Sequence, residues 1–124
     1  MSVKLVYCLR RRADLSPQEF SSYWRTDHAQ LVRRHADAMG VIRYVQSHSF
    51  APEVDSELRA GRELVEAYDG VAEIYFESLE AMASANTKPG AETIRAELVA
   101  DEDRFIDRGR SCMFVAEEHV VIAT

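Results

Sequence analysis

The sequence predicts an α+β sandwich in which two helices cover one face of a four-stranded antiparallel sheet. Three observations carry this reading. Segments of alternating and helical hydrophobic period follow one another in the order βαββαβ. Breakers stand between them, at Gly40, Asp69-Gly70 and Lys88-Pro89-Gly90. All four strands carry apolar or aromatic residues on both faces, so the face away from the helices needs a cover too.

The first strand is VKLVYCL (3–9), rich in β-branched and aromatic residues. A helix follows from about Pro17 to Ala38. Ser16 caps it, Pro17 suits its first turn, Glu19 completes a capping box and Gly40 ends it. At ~100° per residue, Phe20, Trp24 and Leu31 share a ~40° arc, with His28 another ~40° beyond Trp24. The second strand runs through VIRYVQSHSF (41–50), with Ile42, Tyr44, Gln46 and His48 on one face. Residues 51–69 are charged and break-prone at both ends. A short helix fits SELRAGREL within them, and a connection of this length is often a lid or binding loop.

The third strand, Val71–Glu77, sets Ala72, Ile74 and Phe76 against Val71, Glu73 and Tyr75. Ser78 caps a second helix that begins LEAMASA, breaks at Thr87–Gly90 and resumes to about Asp107, with Ile94, Leu98 and Phe105 on a shared face. The last strand, Met113–Ile122, is apolar on both sides. A second copy of the same sheet is the simplest cover for the open face, which predicts a two-fold homodimer.

The 124 residues make one domain, taken as 1–124, with 47% hydrophobic and 29% charged residues, as in an ordinary globular protein. A net charge of −6 argues against nucleic acid as a partner. Arg10–Arg11–Arg12 reads as a solvated edge. No stretch reaches the ~18 apolar residues that span a bilayer, and the short apolar run at the N-terminus does not make a signal peptide. A cytoplasmic protein with no membrane partner is expected. Cys8 and Cys112 match no zinc spacing and read as free thiols, and no metal site is expected.

Taken together, KLVYCLRRRADLSPQEFSSYWRTDHAQL (4–31), YDGVAEIYFESLEAM (68–82) and DEDRFIDRGRSCMFVAEEHVV (101–121) resemble the EthD-domain branch of the dimeric α+β barrel superfamily. The resemblance implies a ferredoxin-like protomer whose sheet packs face to face with its mate, and a ligand pocket between sheet and helices. Members of the superfamily include lactone isomerases, polyketide cyclases, dehydratases and cofactor-free monooxygenases; others bind haem. The expected activity is therefore cofactor-independent acid–base chemistry on an apolar cyclic or aromatic metabolite. A haem- or hydrophobic-ligand-binding protein and a non-catalytic accessory dimer are the alternatives.

His28 is the leading catalytic candidate, because its ring exchanges protons near neutral pH and it matches the superfamily's helix-1 histidine. The competing reading is a core histidine bonded to a backbone carbonyl. His35 stands too far along the helix to chelate with it. Tyr44 resembles a strand-2 tyrosine beside the proton-transfer site of related isomerases. Glu73 is either a partner or base for His28, or pairs with an arginine across the dimer interface. Phe20, Trp24, Tyr7 and Leu31 are the expected apolar walls, while His48 and His119 are expected at the surface or interface.

Overall fold

The computed structural model describes residues 3–124. Strands β1 (Val3–Leu9), β2 (Arg43–His48), β3 (Gly70–Phe76) and β4 (Cys112–Glu117) form one antiparallel sheet in the order β2-β3-β1-β4. This is the α+β sandwich that the element order predicts, in the ferredoxin-like form that the resemblance implies. Helices α1 (Pro17–Tyr23) and α2 (Ala29–Met39) follow β1, α3 (Pro52–Ala60) lies in the connection after β2, and α4 (Leu79–Asn86) and α5 (Ala91–Glu102) follow β3.

The first helix begins as its sequence dictates. The Ser16 hydroxyl accepts from the Glu19 amide while the Glu19 carboxylate accepts from the Ser16 amide. Gly40 ends it at φ 74°, a left-handed conformation glycine adopts without a Cβ penalty. Between these ends the helix is not regular. Trp24–His28 form a π-turn, in which the Ala29 amide reaches back five residues to the Trp24 carbonyl. The extra residue shifts the buried stripe, so that Ala29 and Val32 are buried and Leu31 is only half-buried. Leu31 therefore does not share the line of Phe20 and Trp24 that uniform helical spacing predicts.

Three other boundaries move. Helix α5 stops at Glu102, and Phe105 and Ile106 are buried in the turn that follows, which is pinned by an Arg11–Ile106 bridge. Strand β4 stops at Glu117, leaving Val120, Val121 and Ile122 exposed. The arginine run is not merely solvated: Arg10 donates to the Ala67 and Glu66 carbonyls, and Arg11 pairs with Asp69. It ties the end of the long connection to β1.

The core is the layer between sheet and helices, where Leu9, Phe20, Trp24, Ala72, Phe105 and Ile106 pack together. Register places Tyr44, Gln46 and His48 on this face beside Ile74, Ala72 and Gly70. The opposite face carries Val45, Glu73, Val6 and Phe114 in one cross-strand row. No helix among the described residues is long and apolar enough to cross a membrane.

Candidate functional site

Two polar clusters are built into the apolar layer. The first is centred on His28, whose Nδ1 lies 2.7 Å from Asp101 Oδ2. The other oxygen of Asp101 accepts from the Tyr23 hydroxyl at 2.6 Å. Burial, followed by this carboxylate, pushes the Tyr23 phenol up to about 12. Beside them Tyr7 donates to Glu102 at 2.8 Å. Burial holds Glu102 above the usual carboxylate range, against the opposing effect of the Tyr7 bond.

The His28 ring at its centre is buried. His28 is 7% exposed and packs against Phe105, with ring centroids 4.9 Å apart. The cleft described below and four smaller surface grooves are lined without His28. Nor is Glu73 the partner of His28, one of the two readings for that residue. Glu73 lies on the opposite face of the sheet, ion-paired with Lys4, and the carboxylate that holds His28 is Asp101. Asp101 had a signal in the sequence, since it is an acid seven residues beyond Ile94 on the apolar stripe that includes Leu98 and Phe105.

The second cluster opens to solvent. The Trp24 carbonyl, at the head of the π-turn, accepts from Gln46 Nε2 at 2.9 Å, and Nε2 also donates to the Tyr44 hydroxyl at 3.1 Å. Because a carbonyl only accepts, this bond fixes which end of the Gln46 amide carries hydrogen. Gln46 Oε1 then faces His48 Nε2 at 2.8 Å, and that nitrogen must be the donor. His48 Nδ1 is consequently the bare nitrogen, and it accepts from the Ser21 hydroxyl at 2.7 Å. The Trp24 ring lies 4.4 Å from the His48 ring, and its Nε1 donates to Tyr44 at 3.2 Å.

Burial, and secondarily the Arg25 charge, lowers the His48 pKa, so the ring is a neutral base at pH 7. Burial also raises the Tyr44 phenol. His48 is thus half-buried and bonded on both nitrogens, not a surface residue; His119 is exposed.

Ser21 faces a cleft of about 680 Å³ between α1 and the 49–69 connection. Phe20 and Phe50 supply apolar lining, Tyr68 an aromatic edge, and Arg25 and Arg59 positive charge. Arg25 Nη2 lies 3.4 Å from Ser21 Oγ. The connection expected to act as a binding loop does border this cleft. Of the predicted residues, Phe20, Trp24 and Tyr44 gather around the Ser21–His48 pair. Tyr7 goes with the His28 cluster. Among the described residues no group of three or more His, Cys, Asp or Glu could hold a metal ion.

The EthD domain family matches residues 12–109, most of the chain and both polar clusters apart from Tyr7. The chain belongs to the EthD-domain family. Solved structures share the fold at low identity. An EthD family protein from Bacillus halodurans is 17% identical with a TM-score of 0.63, covering 96% of this chain and 100% of its own. A dimeric protein of unknown function and ferredoxin-like fold from Bacteroides fragilis is 10% identical with a TM-score of 0.59, over 94% and 96%. SnoaB, a cofactor-independent oxygenase from Streptomyces nogalater, is 15% identical with a TM-score of 0.53, over 99% and 98%. No curated protein sequence matches this EthD domain.

Proposed function

We propose that this EthD-domain protein is a small enzyme that moves protons on an apolar cyclic or aromatic metabolite without a bound cofactor, and that its working base is His48 acting through Ser21. The observation that carries the reading is the 2.7 Å bond from the Ser21 hydroxyl to the bare Nδ1 of a neutral histidine at the edge of an open cleft. A substrate proton passes to Ser21 Oγ as the Ser21 proton passes to His48 Nδ1. The Arg25 guanidinium offsets the negative charge left on the substrate. Isomerisation, cyclisation, dehydration and cofactor-free oxygenation can all begin from that anion. Such a relay contributes about 10²–10⁴ in rate. The fold shared with a cofactor-independent oxygenase supports the class of chemistry, not the substrate.

A second reading keeps His28 as the acid–base group. It is favoured by the Asp101 bond, which orients the ring and leaves Nε2 with no protein partner among the described residues. One experiment separates the two. Cyclic ketones and phenols are screened for enzyme-accelerated exchange of carbon-bound hydrogen in D2O. Loss of exchange in Ser21→Ala and His48→Gln with retention in His28→Asn supports the relay; the reverse pattern assigns the chemistry to His28. Acceleration by a haem-loaded sample alone, with a saturating Soret band, favours the haem-binding alternative.

The open sheet face is the proposed dimer surface. Phe114 stands half-exposed in its central row, and a dimeric protein of the same fold supports a homodimer. Sedimentation at micromolar concentration tests it, with a monomer as the contrary result.

A further inference from the structure

Cys8 and Cys112, far apart in sequence, are direct register partners on β1 and β4. Opposed residues of an antiparallel pair have Cα atoms ~4.5–5.5 Å apart, within the ~4.4–6.8 Å that a disulfide spans. Both side chains leave the open face of the sheet, the proposed dimer surface, at the end of the β1–β4 ladder, so the oxidation considered is that of the protomer with this face uncovered. The two thiols are not equivalent. Cys8 is half-buried, whereas Cys112 is exposed. Cys112 Sγ lies 3.7 Å from the Tyr68 hydroxyl, and the Arg10 guanidinium lies 4.1 Å over the Tyr68 ring. Cys112 is therefore the accessible thiol of the pair, with a phenol as its polar neighbour. Burial pushes the Cys8 thiol up and keeps it the less reactive partner.

We propose that Cys112 and Cys8 form an oxidation-sensitive pair, with Cys112 attacking hydrogen peroxide and Cys8 resolving the product as an intrachain disulfide. In the first step the Cys112 thiolate bonds to a peroxide oxygen. The O–O bond breaks, and the departing hydroxide takes up a proton to give water and a sulfenic acid. In the second step the Cys8 thiolate bonds to that sulfur, the S–O bond breaks and a second water leaves. Two thiols are oxidised by two electrons, and one peroxide is reduced to two waters.

The bridge has a route to the cleft. Drawing Cys112 Sγ toward Cys8 takes it from the hydroxyl of Tyr68, and Tyr68 lines the cleft. It also ties edge strand β4 to the centre of the sheet. This pair stands independently of the chemistry proposed for His48.

The test uses the full reduced chain, stoichiometric hydrogen peroxide, thiol alkylation and peptide mass spectrometry. The expected product is a monomeric chain lighter by two hydrogens, with the Cys8 and Cys112 peptides linked and reversed by a dithiol. Cys8→Ser is expected to stop at a dimedone-trappable sulfenic acid on Cys112. Cys112→Ser is expected to slow peroxide consumption by ~10-fold or more. Two freely alkylated thiols after treatment, disulfides only between copies, or sulfenic acid on Cys8 would each overturn the proposal. Circular dichroism of both serine variants checks that they fold.

Discussion

Gly70 opens β3 directly beneath the Trp24 indole, and replacing it with alanine tests how tightly the layer around the site is packed. A Cβ there falls 2.4 Å from Trp24 Cζ3, 2.8 Å from Cη2 and 3.0 Å from the Ser47 carbonyl. Ordinary contact begins near 3.4 Å, so the indole has to retreat by roughly 1 Å. It has no free space to do so. Trp24 is 1% exposed, with Phe20 at 5.6 Å and His48 at 4.4 Å between ring centroids. Overpacking of this kind costs about 1–3 kcal/mol, which lowers the melting midpoint of a domain this size by about 4–12 °C. Thermal and urea unfolding of Gly70→Ala measure the loss, with an unchanged denaturant slope expected. The control is Gly109→Ala, whose added Cβ meets Asp107 Oδ1 at an ordinary 3.6 Å and leaves the midpoint near that of the parent. A Gly70→Ala protein as stable as the parent would refute the packing described here.

Asp101→Ala leaves the Tyr23 hydroxyl and His28 Nδ1 without their partner, and is expected to cost about 1–3 kcal/mol in urea unfolding; a neutral result means that neither bond is made. Burial raises the Glu102 pKa, so the folded chain holds this proton more tightly than the unfolded one. That contribution is full below the ordinary value of about 4.3 and is lost as pH rises through the folded value. Glu102→Gln does not titrate, and its midpoint relative to the parent is expected to rise as pH increases from about 4. A difference that stays constant with pH contradicts the burial. His48 behaves in the opposite sense, because its pKa is lowered. Its contribution is present above about 6.5 and lost as pH falls through the folded value. Proton exchange by the enzyme is expected to decline on that same acid limb, and a rate indifferent to pH there excludes His48 as the base.

The architecture was legible because its signals are local. Ser16 and Glu19 announce a helix start, Gly40 a stop, and the alternation through Tyr44, Gln46 and His48 a strand with one shared face. The site was less legible, since its partners meet only after folding. Nothing in the residues around His28 says that the π-turn adds a residue and moves the buried stripe from Leu31 to Val32. The alternation that set Glu73 apart from Ala72 and Ile74 was correct. Which of those faces the helices cover depends on packing across the whole sheet. His48 carried a readable signal in sharing the face of Tyr44, but its bond to Ser21 links residues 27 positions apart. Asp101 was visible as an acid on an apolar stripe; that His28 would meet it depended on how two helices cross.

The bare nitrogen of His48 can be observed without a substrate. Long-range proton–nitrogen correlation spectra of the folded protein at neutral pH report which imidazole nitrogen carries hydrogen. The account predicts a neutral ring with hydrogen on Nε2 and an unprotonated Nδ1 facing Ser21; a ring carrying its hydrogen on Nδ1, or one already charged at neutral pH, would contradict it.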